Sequence, residues 1–193
     1  MSAQNEPRPT TPATTTPNPG ISRPVCPDGI KPLSTAERVA LFGHFDYEAD
    51  PIPGDPEHVK VLGDWRAKNI AGARLPAFGG KPARVVGVHV KLVERVESLF
   101  QTLAENDLLG DIVSWNGSYN PRFIRGSTVK LSNHAWGTAC DINAAQNRLG
   151  TEGATWGQPG CVWRIVPIAL AHGFFWGGWF RSRLDDQHFE SFR

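Results

Sequence analysis

The strongest constraint on the fold is one amphipathic segment near residues 90–106. Val93, Val96, Phe100 and Leu103 fall there at i, i+3, i+7 and i+10. Glu94, Arg95, Glu97 and Glu105 lie largely on other faces. Such a segment reads as a helix with one apolar stripe, and that stripe has to be covered by other elements. It is the expected main core helix. The pieces available to cover it are short. Apolar runs at 84–88, 112–115, 138–143 and 187–191 read as strands. A second helix is expected over about 162–172, stopped by Gly173, with Pro167 limiting its start or kinking it. Ser34-Thr35-Ala36-Glu37 has the capping-box pattern and predicts a short helix ending at Gly43 that buries Val39, Ala40 and Phe42. Residues 44–83 are rich in Pro, Gly and Asp and read as loops with short elements.

Residues 1–24 read differently. Six prolines from Pro7 to Pro24 are interspersed with a threonine cluster, with almost nothing apolar to offset the entropy of ordering. A disordered tail is expected at 1–24 and a single domain at 25–193. Removing the tail should leave thermal stability nearly unchanged. Cys26, Cys140 and Cys161 are odd in number and form no CxxC pair. Reduced thiols are expected, with a Cys140–Cys161 bridge as the minority alternative. Charge is balanced, with 20 Lys and Arg against 19 Asp and Glu, which gives no basic footprint for nucleic acid. No stretch approaches the roughly 20 apolar residues of a membrane span, so no stable membrane insertion is expected. The N-terminus lacks a secretory pattern, so synthesis in the cytoplasm is expected.

Two segments carry chemistry. In 132–143, His134 precedes a turn that Gly137 permits, and Asp141 follows on a strand. Period-two alternation puts Ala139, Asp141 and Asn143 on one face and Cys140 and Ile142 on the core face. In 185–190 the same alternation makes Phe189 core and turns His188 and Glu190 toward the site. Two imidazoles and a carboxylate suit zinc (Zn2+), and three protein ligands leave one position for water. Taken alone the spacing is moderately specific: a lone histidine on a strand is more often structural, and the His-Glu-x-x-His motif is absent. The other histidines, His44, His58, His89 and His172, are expected to be structural or solvent-facing.

The segment Ser132-x-His134-x-x-Gly137-x-Ala139-x-Asp141 resembles the first motif of the zinc D-Ala-D-Ala carboxypeptidases and L-alanyl-D-glutamate endopeptidases. Gly173-Phe174-Phe175-Trp176-Gly177-Gly178-Trp179, followed by Asp185-x-x-His188-Phe189-Glu190, resembles the second. The likeness covers residues 84–193 well, 25–83 loosely and 1–24 not at all. It implies an α+β fold with a central antiparallel sheet, flanking helices and a zinc cleft. It implies His134, Asp141 and His188 as zinc ligands and Asp185 as the catalytic acid. Many members of that family carry Glu at this last position, and phage-type endopeptidases often carry Asp. Tyr119-Asn120-Pro121-Arg122 looks like the element whose arginine faces the substrate carbonyl. Arg122 is thus the expected oxyanion partner and Arg125 the reserve, against the plainer alternative of a surface arginine paired with an acid.

Ser132 is expected to contact substrate or His134, and Glu190 and Asn143 to orient ligands. Trp176 and Trp179 are candidate walls of the substrate groove, with core packing weighed equally and Trp176 assigned to the core. Of the adjacent acids only one can face the site, so Asp186 is expected to be exposed or paired with Arg181 or Arg183. The implied substrate is a peptidoglycan stem peptide and the implied activity an L-Ala–D-Glu endopeptidase of endolysin type, reaching the wall after release. A D-Ala-D-Ala carboxypeptidase is the runner-up, and a non-catalytic zinc module the reading from another class. A monomer is expected.

Overall fold

The computed structural model describes residues 21–193, so most of the expected tail lies outside the described residues. The helical stripe forms as α3, Val93–Glu105, with Val96, Leu99, Phe100 and Leu103 buried. Leu99 completes the stripe between Val96 and Leu103, while Val93 is only half-buried. A four-stranded antiparallel sheet is built from β5 (Trp115–Gly117), β6 (Ala139–Ile142), β7 (Phe174–Trp176) and β8 (His188–Ser191), in the order β5-β6-β8-β7. Its inner face brings Cys140, Ile142 and Phe189 against Leu99, Phe100 and Leu103 of α3 and Ile165 and Ala169 of α4 (Ile165–Ala171). That packing is the centre of the core, so side chains of opposite parity on β6 and β8 point away from it.

Two smaller antiparallel pairs complete the chain: β1 (Tyr47–Ala49) with β2 (Val59–Val61), and β3 (Ile70–Leu75) with β4 (Arg84–His89). Helices α1 (Thr35–Phe42) and α2 (Trp65–Asn69) precede β3. The six-residue β3 lies where only loops with short elements were expected, and it packs against α3.

Local chemistry explains several boundaries. Ser34 and Glu37 close the capping box of α1 in both directions. That helix buries Arg38 and Phe42, whereas Ala40, expected in the core, is exposed. Pro167 sits in the first turn of α4, where its missing N–H costs no helical hydrogen bond. Gly173 follows the end of α4 with φ +81° and donates its N–H to the Leu170 carbonyl.

The strand expected at 112–115 begins instead at Trp115. Residues 113 and 114 are held by a side chain: Asn143 Oδ1 accepts from the Val113 and Ser114 amides, at 2.8 and 3.0 Å. Asn143 itself has φ +56° and is fully buried, donating to the carbonyls of Asp111 and Gly160. The alternation of β6 therefore stops at Ile142, and Asn143 is a clamp between loops, with no part in orienting Asp141 or His134.

Two further expectations are corrected. Asp186 is neither exposed nor paired with Arg181 or Arg183; it is fully buried and bridged by Arg23 at 2.6 and 2.7 Å. Arg23 and Pro24, assigned to the tail by composition, are packed on the domain, and the Pro24 carbonyl accepts from Trp179 Nε1. All three cysteines are free, and burial raises the pKa of the Cys140 thiol. Among the described residues no helix is long and apolar enough to cross a membrane.

Candidate metal centre

His134 is presented by a tight turn. Residues Asn133–Trp136 form one 3₁₀ turn, begun by Ser132, whose Oγ accepts from the His134 amide, and ended by Gly137 at φ +67°. A Cβ at Gly137 would lie 2.8 Å from the His89 nitrogen, so both backbone conformation and space require glycine there. Trp136 anchors the turn in the core, its Nε1 donating to the Gly43 carbonyl. Asp141 and His188 come from adjacent strands and are direct cross-strand partners. The close antiparallel pairing of β6 and β8 is what brings a residue from the middle of the chain against one near its end.

The tautomers follow from the partners. His134 Nδ1 lies 2.7 Å from the Ser118 carbonyl, which can only accept, so Nδ1 carries the proton and Nε2 is bare. His188 Nε2 lies 2.9 Å from the Glu190 carboxylate, so Nε2 carries the proton and Nδ1 is free to ligate. Asn133 Nδ2 donates to the same Glu190 oxygen and holds it in place. The two free nitrogens and Asp141 Oδ1 form a triangle with sides of 3.3, 3.3 and 2.9 Å. A tetrahedral zinc with bonds of about 2.0–2.1 Å keeps its donors about 3.3 Å apart, so the donor set fits such an ion in both spacing and chemistry. The group His134, Asp141 and His188 could hold a metal ion.

The electrostatics point the same way. Burial opposes ionisation of Asp141, but the imidazoles of His134 and His188 outweigh it and hold the carboxyl well below the usual range. Burial likewise opposes charge on His188, but Asp141 and Glu190 outweigh it and push the imidazolium up to about 10. Two carboxylates converging on two imidazoles thus make a pocket that favours positive charge, whether a proton or a metal ion supplies it.

A cleft of about 490 Å³ opens beside this triangle, lined among others by Arg122, Ser132, His134, Asp185 and His188. The backbone of Asp185 is held by the Gly177 carbonyl, and its own carbonyl accepts from the His188 amide. Its carboxyl takes a hydrogen bond from Gln187 Nε2 at 3.1 Å, and burial raises its pKa. A carboxyl raised in this way is suited to exchanging a proton with a nearby water.

Arg122 is half-buried at the cleft, with one hydrogen bond to the Phe123 carbonyl and no carboxylate at ion-pair distance among the described residues. The plainer alternative, an arginine paired with acids, describes Arg125 instead, which is bound by Asp55 and Glu57. Ser132 lines the cleft and caps the His134 turn. Trp176 does not wall the groove. It has no exposed surface, donates Nε1 to the Asp186 carbonyl at 2.8 Å and carries the Arg23 guanidinium over its ring.

Two contributors carry no signal in the sequence: the Ser118 carbonyl and the Asn133 side-chain amide. A backbone acceptor leaves no trace in residue type, and an asparagine such as Asn133 is ordinary in a turn.

The family model described as D-alanyl-D-alanine carboxypeptidase matches residues 125–191, a span that contains His134, Asp141, Asp185 and His188 but not Arg122. No curated protein and no solved structure matches the chain. The match supports a peptidase of the kind that acts on peptidoglycan peptides.

Proposed function

We propose that the protein is a zinc-dependent peptidase that hydrolyses the stem peptides of bacterial cell wall. The observation that carries this reading is the triangle of His134, Asp141 and His188 donor atoms, each histidine oriented by its own acceptor, with Asp185 in the adjoining cleft. Zinc bound there would polarise the scissile carbonyl and acidify a water.

The remaining work falls to the chain. Asp185 takes the proton of the attacking water and hands it to the departing amine. Arg122 donates to the oxygen on which negative charge develops. The Ser118 carbonyl and Glu190, itself held by Asn133, keep the imidazoles in the ligating tautomer. A non-catalytic zinc module would require neither an acid nor an unpaired arginine in the cleft.

For the bond cleaved, an L-Ala–D-Glu endopeptidase of endolysin type is supported by Asp185 at the position where the resembled phage enzymes carry Asp. The second reading, removal of terminal D-Ala, is favoured by the description of the matching family. The test is incubation of the zinc-loaded chain with purified peptidoglycan and with a synthetic stem pentapeptide, with and without chelator. Chelator-sensitive release of new amino groups is expected, and product masses identify the bond. Zinc-loaded protein that releases none would rule the reading out.

A further inference from the structure

We propose that Arg38 is a substrate-reading residue: it binds a carboxylate of the substrate inside the cleft. The inference rests on the peptidase reading for its substrate class and on the geometry of Arg38 for the rest. Arg38 is 6% exposed and lines the same cleft as His134, Asp185 and His188. Its backbone is set one turn into α1 by the amide hydrogen bond to the Ser34 carbonyl. Its guanidinium packs 5.5 Å from the centre of the Trp136 ring.

Among the described residues its side chain makes a single hydrogen bond, from Nη2 to the Leu33 carbonyl at 3.0 Å, and no carboxylate lies at ion-pair distance. Glu190 is the acid whose field reaches it, but the bonded oxygen of Glu190 is already shared by His188 and Asn133.

A guanidinium taken out of water without an anion is costly to the fold, and a buried charge of this kind is ordinarily paired. Here the missing partner can arrive through the cleft. The other charges lining it reinforce the point. Arg122, Lys130 and Arg183 add to Arg38, whereas the acids present, Asp185 and Glu190, are engaged with Gln187 and with His188 and Asn133. The planar fork of a guanidinium matches a carboxylate with two parallel hydrogen bonds, a geometry that an ammonium does not provide.

Both bonds considered above offer the same anion. Terminal D-Ala carries its carboxylate on the carbon next to the departing nitrogen. A D-Glu whose chain continues through its side chain does the same. The inference therefore names a shared recognition element and leaves the choice of bond to the rest of the groove.

The experiment measures binding apart from turnover. N-acetyl-D-alanyl-D-alanine and N-acetyl-L-alanyl-D-glutamine, each beside its α-amide, are titrated calorimetrically into the full chain freed of metal, as wild type, Arg38→Met and Arg38→Lys. The acid is expected to bind wild type about 10- to 100-fold tighter than the amide, the range for a hydrogen bond to a charged group. Arg38→Met should bring the two affinities within a few-fold of each other, and Arg38→Lys should restore part of the preference.

Equal acid and amide affinities in wild type for both ligand pairs, or no binding of either acid, overturn the proposal without reference to any variant. So does a preference that survives in a folded Arg38→Met chain, checked by circular dichroism. Acid-selective binding by the metal-free chain, beside a zinc-loaded chain that hydrolyses no wall peptide, would instead leave Arg38 in place and remove the peptidase reading.

Discussion

The contact between Arg23 and Asp186 predicts that the first described residues are part of the domain's stability. Asp186 has no exposed surface and accepts from Arg23 at 2.6 and 2.7 Å and from the Gly153 amide at 3.2 Å. Arg23 also donates to the Gly178 carbonyl at 3.1 Å and lies 4.6 Å from the Trp176 ring centre. Its side chain is 31% exposed, so the pair is buried chiefly on the carboxylate side. Removing Arg23 leaves a carboxylate sealed from water with one amide as partner. Breaking a buried pair in this way costs about 3–5 kcal/mol. At about 2–4 °C per kcal/mol for a domain of this size, the melting temperature should fall by roughly 6–20 °C.

The measurement is thermal unfolding by circular dichroism of chains 21–193 and 25–193, and of Arg23→Met in the longer one. If the lost charge partner is the cause, Asp186→Asn added to Arg23→Met should recover much of the drop, because the uncompensated charge is gone. A chain beginning at residue 25 that melts within about 2 °C of the longer one would refute the reasoning, since such a shift corresponds to 1 kcal/mol or less.

His134→Ala or His188→Ala should abolish zinc retention after loading and dialysis, and metal analysis at wild-type occupancy would show the ligands to be misassigned. Asp185→Asn should keep zinc and lose nearly all hydrolysis, while Asp186→Asn should act mainly on stability; steady-state rates beside melting temperatures separate the two. Arg122→Ala should lower turnover by about 100-fold or more with zinc retained, the scale of one lost oxyanion donor; the same loss in Arg125→Ala alone would exchange their roles.

Buried His89 uses both ring nitrogens in its neutral form, on the Phe42 carbonyl and the Lys91 amide, and burial lowers its pKa. Its contribution is therefore present above the unfolded value of about 6.5 and lost as pH falls through the lower folded value. His89→Gln should flatten that part of the stability–pH curve, followed by thermal melts from neutral to acid pH.

Features whose causes lie within a few residues were legible in the sequence. The stripe of α3, the capping box at Ser34 and Glu37, the glycine that ends the His134 turn and the inward face of Cys140 and Ile142 all follow from periodicity or backbone conformation. Strand alternation turned Asp141, His188 and Glu190 toward one side, and the resemblance to the zinc peptidases singled out His134, Asp141 and His188 as a set. Tertiary structure decided what depends on distant partners. Whether Asp186 is solvated or buried turns on Arg23, 163 residues away in the chain. Whether Trp176 lines a groove or fills the core turns on the apolar cluster that encloses it and on the distant Arg23 guanidinium over its ring. Asn143 leaves the strand alternation because two loops need its amide, and Arg38 is buried with its guanidinium over the ring of Trp136, nearly a hundred residues on in the chain. Burial and ionic pairing are properties of the assembled surroundings, and no local pattern encodes them.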